Sequence, residues 1–139
     1  MKKKEVLLKW TGNKQFIGTD SGKHSIVISS HDEANNTGMS PSQLLLLALA
    51  SCNAYDVVGI LLKKRLQLDD LHIKVTSEQE PDPPWTYRQI HLKYVLSGPN
   101  LTDKAVEQAI ALSLTKYCSV AATVSGKAEV THEFEILGK

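Results

Sequence analysis

Residues 40–62 read SPSQLLLLALASCNAYDVVGILL, a long apolar run with a helix start at its head. Ser40 is a good helix N-cap, Pro41 suits the first helical position, and Gln43 completes a Ser-x-x-Gln capping box. Helical character runs to about Leu66, through the basic cluster Lys63-Lys64-Arg65 that the negative end of a helix dipole favours. That is roughly 25 residues, or ~37 Å. Gly59 is the one point at which the helix is expected to soften or kink. The apolar run is long enough to be taken for a membrane span. Asn53 and Asp56 lie near its middle, however, and an Asp at a bilayer centre costs about 2.5–3.5 kcal/mol. No second span or flanking topology signal accompanies it. The expectation is therefore a central helix covered by a sheet or by a second subunit, and no membrane partner.

Upstream, short apolar runs at 5–10, 15–19 and 24–30 are separated by Thr11-Gly12-Asn13 and Asp20-Ser21-Gly22, the signature of an antiparallel meander. Residues 31–39 are polar and read as a loop. Downstream, 71–79 alternates, with Leu71, Ile73 and Val75 against His72, Lys74 and Thr76. Pro81-Asp82-Pro83-Pro84 breaks the chain, and 86–96 reads as the paired strand with Ile90, Leu92 and Tyr94 on one face. A second helix follows Ser97-Gly98-Pro99-Asn100, capped by Thr102 and stapled by Leu101 with Val106. Its buried face is Ala105, Val106, Ala109, Ile110 and Ser113. A further helical turn is expected over 118–124, and 128–137 closes the chain as an alternating strand. The order β-β-β-α-β-β-α-β makes an α+β fold of antiparallel strands around a long central helix, in a single domain over 1–139.

Composition narrows the function. The chain has 139 residues, 42% of them apolar, with 16 basic and 15 acidic side chains and a formal net charge of +1. No basic excess marks a nucleic-acid surface. The basic start Met1-Lys2-Lys3-Lys4 is followed by Glu5, Lys9 and Trp10 before any apolar h-region develops, so the expected location is the cytoplasm. There a structural disulfide is disfavoured. Cys52 and Cys118, 66 residues apart, are then either small buried hydrophobes or a reactive pair. The reactive reading requires an attacking thiolate with the second thiol within disulfide reach. Local sequence does not activate Cys52: it is mid-helix, and Asp56 is one turn on along the same face. Asp56 is expected to be solvated or structurally paired, with Lys63 or Lys64 as candidate partners. His24, His31, His72, His91 and His132 form no spaced metal motif with a cysteine, and His72, His91 and His132 are expected to face solvent. Trp10 and Trp85 read as packing or interface residues. Neither a Gly-rich phosphate loop, a Gly-x-Ser-x-Gly elbow nor a Cys-x-x-Cys is present.

Met39-Ser-Pro-Ser-Gln-Leu-Leu-Leu-Leu-Ala-Leu-Ala-Ser-Cys52 resembles the central helix of OsmC/Ohr proteins, and Lys116-Tyr117-Cys118-Ser119-Val120 resembles their second cysteine motif. The spacing of the cysteines and the element order are similar across nearly the whole chain. The stretch 56–64 and the Lys-Tyr-Cys-Ser-Val motif look closest to a poorly characterised OsmC-like branch. The resemblance implies an intertwined homodimer with sites at its interface, and thiol-dependent reduction of organic hydroperoxides. Cys52 would be the peroxidatic thiol and Cys118 the resolving one, with no bound cofactor and a dithiol as reductant. Two positions depart from the peroxidase branches. Their early helix Glu is Ser42 here, next to the neutral Gln43, and their Arg near the N-terminal strands has no counterpart, since the chain's arginines are Arg65 and Arg88. Lys9, Lys14 and Lys23 carry charge there without the bidentate geometry of Arg. A slow peroxidase is the resulting expectation. A redox sensor or small-molecule-binding protein, and a Cys-nucleophile hydrolase, are the alternatives.

Overall fold

The computed structural model describes residues 1–138. The elements are β1 (Leu7–Gly12), β2 (Gln15–Thr19), β3 (Ser25–Ser29), α1 (Pro41–Lys63), β4 (Asp70–Gln79), β5 (Tyr87–Ser97), α2 (Asp103–Leu112), a π-helical turn (Ser113–Tyr117), α3 (Ser119–Val124) and β6 (Glu129–Ile136). They form two three-stranded sheets, β1-β2-β3 and β4-β5-β6, in an α+β fold. The chain divides into two compact units, Met1–Leu45 and a second beginning at Leu46.

In the first unit the meander is antiparallel throughout, as the Gly-containing turns predict. The Trp10 indole closes the first turn by donating to the Asn13 carbonyl at 2.6 Å. The loop 31–39 is built around Asn35, which is buried, takes the Lys14 N–H at 3.2 Å and donates to Asp32 at 2.7 Å. Little of this unit is dry. Val6, Leu7, Leu8, Trp10, Ile26 and Val27 are all exposed. Together with Ile28 and Leu44, several of these side chains outline an apolar hollow of about 370 Å³.

The second unit carries the core. Ile90, Leu92, Tyr94 and Leu96 alternate along β5 and are fully buried. They meet Leu49, Val57 and Leu61 of α1 and Val106, Ala109 and Ile110 of α2. Thr102 caps α2 by accepting the Ala105 N–H at 3.1 Å, and Leu101 and Val106 are buried together above it. Cutting any of the large aliphatic side chains here to Ala costs about 2–5 kcal/mol, because the removed contacts are not recovered by collapse. Gly98, at the end of β5, passes so close to the Gln67 carbonyl that a Cβ would lie 2.2 Å from it, so this turn has room for glycine alone.

Three details differ from the sequence reading. First, β6 runs parallel to β5, not antiparallel, with Ile90 opposite Val130 and Leu96 opposite Ile136. A parallel neighbour needs a crossover, and α2, the π turn and α3 supply it. Second, α1 ends at Lys63 rather than Leu66, because Arg65 takes a left-handed conformation (φ 59°) and reverses the chain. Gly59 does not interrupt the helix. Third, His132 does not face solvent. It shares the inward face of β6 with Val130, Phe134 and Ile136 and meets Glu107 of α2 at 3.0 Å. Trp10 and Trp85, read as packing or interface residues, are both more than half exposed.

Helix α1 is also less covered than a central helix should be. It is long and apolar enough to cross a membrane by length and composition, yet only 28% of its most apolar window is buried. Leu47, Tyr55 and Leu62 stand exposed along it. Its two mid-helix polar residues nonetheless have protein partners: Asn53 meets Tyr94, and Asp56 meets Ser113.

Candidate functional site

Cys52 projects from α1, partly exposed, and Cys118 is buried where the π turn hands over to α3. Both are free thiols. The local structure explains how Cys118 is placed. Cys118 N–H donates to the Ser113 carbonyl at 2.8 Å, the five-residue spacing that defines the π turn. Ser113 is itself fixed, since its hydroxyl donates to Asp56 Oδ2 at 2.8 Å. After the turn, Cys118 becomes the N-cap of α3, with its sulfur accepting the Ala121 N–H at 3.2 Å. Asp56 therefore anchors the turn that presents Cys118. It does not pair with Lys63 or Lys64, and Lys64 instead reaches Gln108.

A second donor reaches the Cys118 sulfur from α1. Asn53, fully buried and adjacent in sequence to Cys52, places Nδ2 3.4 Å from Cys118 Sγ. The same amide nitrogen donates to the Leu49 carbonyl at 3.2 Å, and Oδ1 accepts from the Tyr94 hydroxyl at 2.8 Å. Asn53 and Tyr94 are the site residues that sequence reasoning overlooked. The available signal was an amide inside an apolar helix run, which has to find a partner if it is buried.

Burial, and after it the Cys52 thiol alongside, push Cys118 up to about 11. Burial therefore favours the protonated form of Cys118, and Cys52 is the more exposed of the two sulfurs. Burial, with the adjacent Cys118 as a lesser cause, also raises Tyr94, whose hydroxyl stays protonated and remains a donor.

The other expected positions lie elsewhere. Ser42 and Gln43 sit at the start of α1, about 15 Å along the helix from Cys52 at 1.5 Å per residue. Gln43 N–H reaches Ser40 Oγ at 3.4 Å and Ser42 Oγ lies 3.5 Å from it, so both belong to the cap. Among the described residues no lysine, arginine or histidine is hydrogen-bonded to either sulfur. His24 is held by Asp20, His31 by the Gly38 carbonyl, His91 by Thr131, and His132 by Glu107. Nor do the described residues gather three His, Cys, Asp or Glu side chains in a metal-holding cluster.

A hollow of about 550 Å³ opens along the C-terminal half of α1, between Tyr55, Ile60 and Lys63 on the helix and Leu112 and Tyr117 on the crossover. Asp56 lines it and connects it, through Ser113, to the turn that carries Cys118.

Residues 33–133 match the OsmC-like protein family. Protein YhfA of Escherichia coli is 34% identical over 133 residues, covering 96% of this chain and 98% of that protein. A hypothetical protein from Aquifex aeolicus is 33% identical, with a TM-score of 0.84 over 98% of both chains. The organic hydroperoxide resistance protein OhrB of Bacillus subtilis, at 14% identity, shares the fold with a TM-score of 0.63 over 96% of this chain and 98% of that one. Both cysteines and the whole of α1, β4, β5 and α2 fall inside the matched segment, and the chain belongs to the OsmC-like family.

Proposed function

We propose that the protein is a thiol-dependent reductase of organic hydroperoxides, acting through Cys52 and Cys118. The observation that carries this reading is the juxtaposition of two free thiols in unlike environments, one partly exposed and one buried and held protonated. The family and the fold shared with an organic hydroperoxide resistance protein point the same way. The Cys52 thiolate attacks the terminal oxygen of the hydroperoxide and breaks the O–O bond. Cys52 becomes a sulfenic acid and the alkoxide takes a proton to leave as the alcohol. The Cys118 thiol then condenses with the sulfenic acid, forming the disulfide and releasing water. A dithiol reduces the disulfide and is itself oxidised. The Cys-nucleophile hydrolase gains no support, because no histidine is hydrogen-bonded to either thiol among the described residues. The sensor reading keeps one observation in its favour: among the described residues no cation is hydrogen-bonded to Cys52 to speed attack.

The working unit in this reading is a homodimer. Apolar side chains exposed on the first sheet and along α1 would be covered by a second copy. The direct test is to mix reduced protein with a panel of organic hydroperoxides and follow thiol loss by stopped flow. Stoichiometric loss of two thiols per hydroperoxide, with formation of the alcohol, is expected. Thiols that persist through the whole panel would leave a binding or sensing role in its place.

A further inference from the structure

We propose that Asn53 is a positioning residue, which turns the S–H of Cys118 onto the Cys52 sulfur so that the second thiol activates the first. The inference rests on Cys52 being the reacting thiol, as read above, and it assigns Cys118 a task before the resolving step.

A thiol has one proton to donate and lone pairs with which to accept. Two N–H groups point at the Cys118 sulfur, Asn53 Nδ2 at 3.4 Å from α1 and Ala121 N at 3.2 Å from α3. With the accepting side occupied from two directions, the S–H is left to point toward the remaining polar neighbour, the Cys52 sulfur. The orientation of the Asn53 amide is not free. Turning it over would set Oδ1 against the Leu49 carbonyl oxygen, which now accepts from Nδ2 at 3.2 Å, and two acceptors would face each other without a proton. The Tyr94 hydroxyl locks the same orientation from the other side by donating to Oδ1 at 2.8 Å. All three residues that fix the geometry, Leu49, Asn53 and Tyr94, are fully buried, so water does not compete for these bonds.

The chemical consequence is that, once Cys52 gives up its proton, the Cys118 S–H is aimed at the thiolate that forms. A donor aimed at a thiolate stabilises it, which a cation does in other sites. Among the described residues, Tyr94 of β5 interacts electrostatically with Cys118, and Asp56 stands one turn beyond Cys52 on α1. Tyr94 stays neutral, and Asp56 is occupied by the Ser113 hydroxyl. The proton on Cys118 is retained through peroxide attack and leaves with the sulfenic oxygen as water when the disulfide forms.

The test is the pH dependence of Cys52 alkylation by iodoacetamide, with the modified residue identified by mass spectrometry. Wild type is compared with Cys118→Ala, Cys118→Ser and the double variant Asn53→Leu/Tyr94→Phe. The double variant removes both members of a buried hydrogen bond, which is gentler on the fold than removing one. Cys118→Ala and the double variant should move the midpoint upward by about one unit, a roughly tenfold loss of alkylation rate near neutral pH. Cys118→Ser, which still has a hydroxyl to donate, should keep the wild-type midpoint. Equal midpoints for Cys118→Ala and Cys118→Ser, or a wild-type midpoint in the double variant, would overturn the proposal. Alkylation needs no peroxide, so the two readings fail separately. A protein that alkylates as described and ignores hydroperoxides loses the proposed activity and keeps the positioning role.

Discussion

Asn53 and Cys118, 65 positions apart in the chain, meet at 3.4 Å, so the residue that follows one cysteine on α1 holds the sulfur of the other. The site is thus more than two thiols that happen to be close. Its geometry is set by a buried chain running from Tyr94 on β5 through Asn53 on α1 to the N-cap of α3.

The roles of the two cysteines separate by substitution. Cys52→Ser should abolish hydroperoxide consumption. Cys118→Ser should retain one rapid oxidation and lose turnover, because attack needs only the first sulfur and resolution needs the second. Single-turnover and steady-state peroxide assays on the two variants check this. Equal loss of the first oxidation in both would refute the assignment.

The Tyr94–Asn53 bond has a measurable energetic signature. Tyr94→Phe leaves Asn53 Oδ1 buried without its donor and should cost about 1–3 kcal/mol. Asn53→Leu/Tyr94→Phe should cost clearly less than the two single variants added together, since the polar partners vanish as a pair. Urea denaturation of the four proteins of the cycle measures the coupling. Additive costs would mean that the bond contributes nothing.

Stability should fall in alkaline solution. Cys118 is pushed from 9.0 in the free chain to about 11 in the fold, so the native state holds its proton more tightly than the unfolded state does. That stabilisation is complete below about pH 9 and disappears as pH rises through about 11. Cys118→Ala should flatten this part of the profile in urea titrations between pH 8 and 11.

Oxidation should stabilise the chain. A Cys52–Cys118 disulfide closes a 66-residue loop, worth about 4 kcal/mol by loop-closure entropy if the native geometry accepts it without strain. One equivalent of hydroperoxide should give an intrachain linkage by mass spectrometry and a higher urea midpoint. Linkage only between chains would remove Cys118 from the resolving role.

Sedimentation at low micromolar concentration should show a dimer. Ile26→Glu places a charge on the exposed apolar face of the first sheet and should disperse it to monomer. An unchanged sedimentation coefficient in that variant would put the contact elsewhere.

Much of this architecture was legible in local sequence, because local chemistry determined it. Ser40 and Gln43 marked the start of α1, Thr102 marked that of α2, and the alternation Ile90, Leu92, Tyr94 marked the dry face of β5. The parallel pairing of β6 was not, since period-2 alternation is the same whichever way a strand runs. His132 was misplaced for a different reason: the alternation Val130, His132, Phe134, Ile136 puts it on the inward face, where Glu107 of the neighbouring helix gives the imidazole a partner. The π turn and the Asn53 contact depend on residues from three separate elements. No window of sequence holds all of them.

The crossover between β5 and β6 bears on a kinetic race. Both ends of the segment that carries Cys118 are tied to strands of one sheet, so this thiol does not diffuse away from Cys52. Its effective molarity at the Cys52 sulfur far exceeds the concentration of any thiol dissolved around the protein. A sulfenic acid formed on Cys52 would therefore meet Cys118 before it met a second peroxide or a free thiol. In the proposed cycle, irreversible oxidation of Cys52 to the sulfinic acid would then be averted by how the chain is threaded rather than by any property of the sulfur itself.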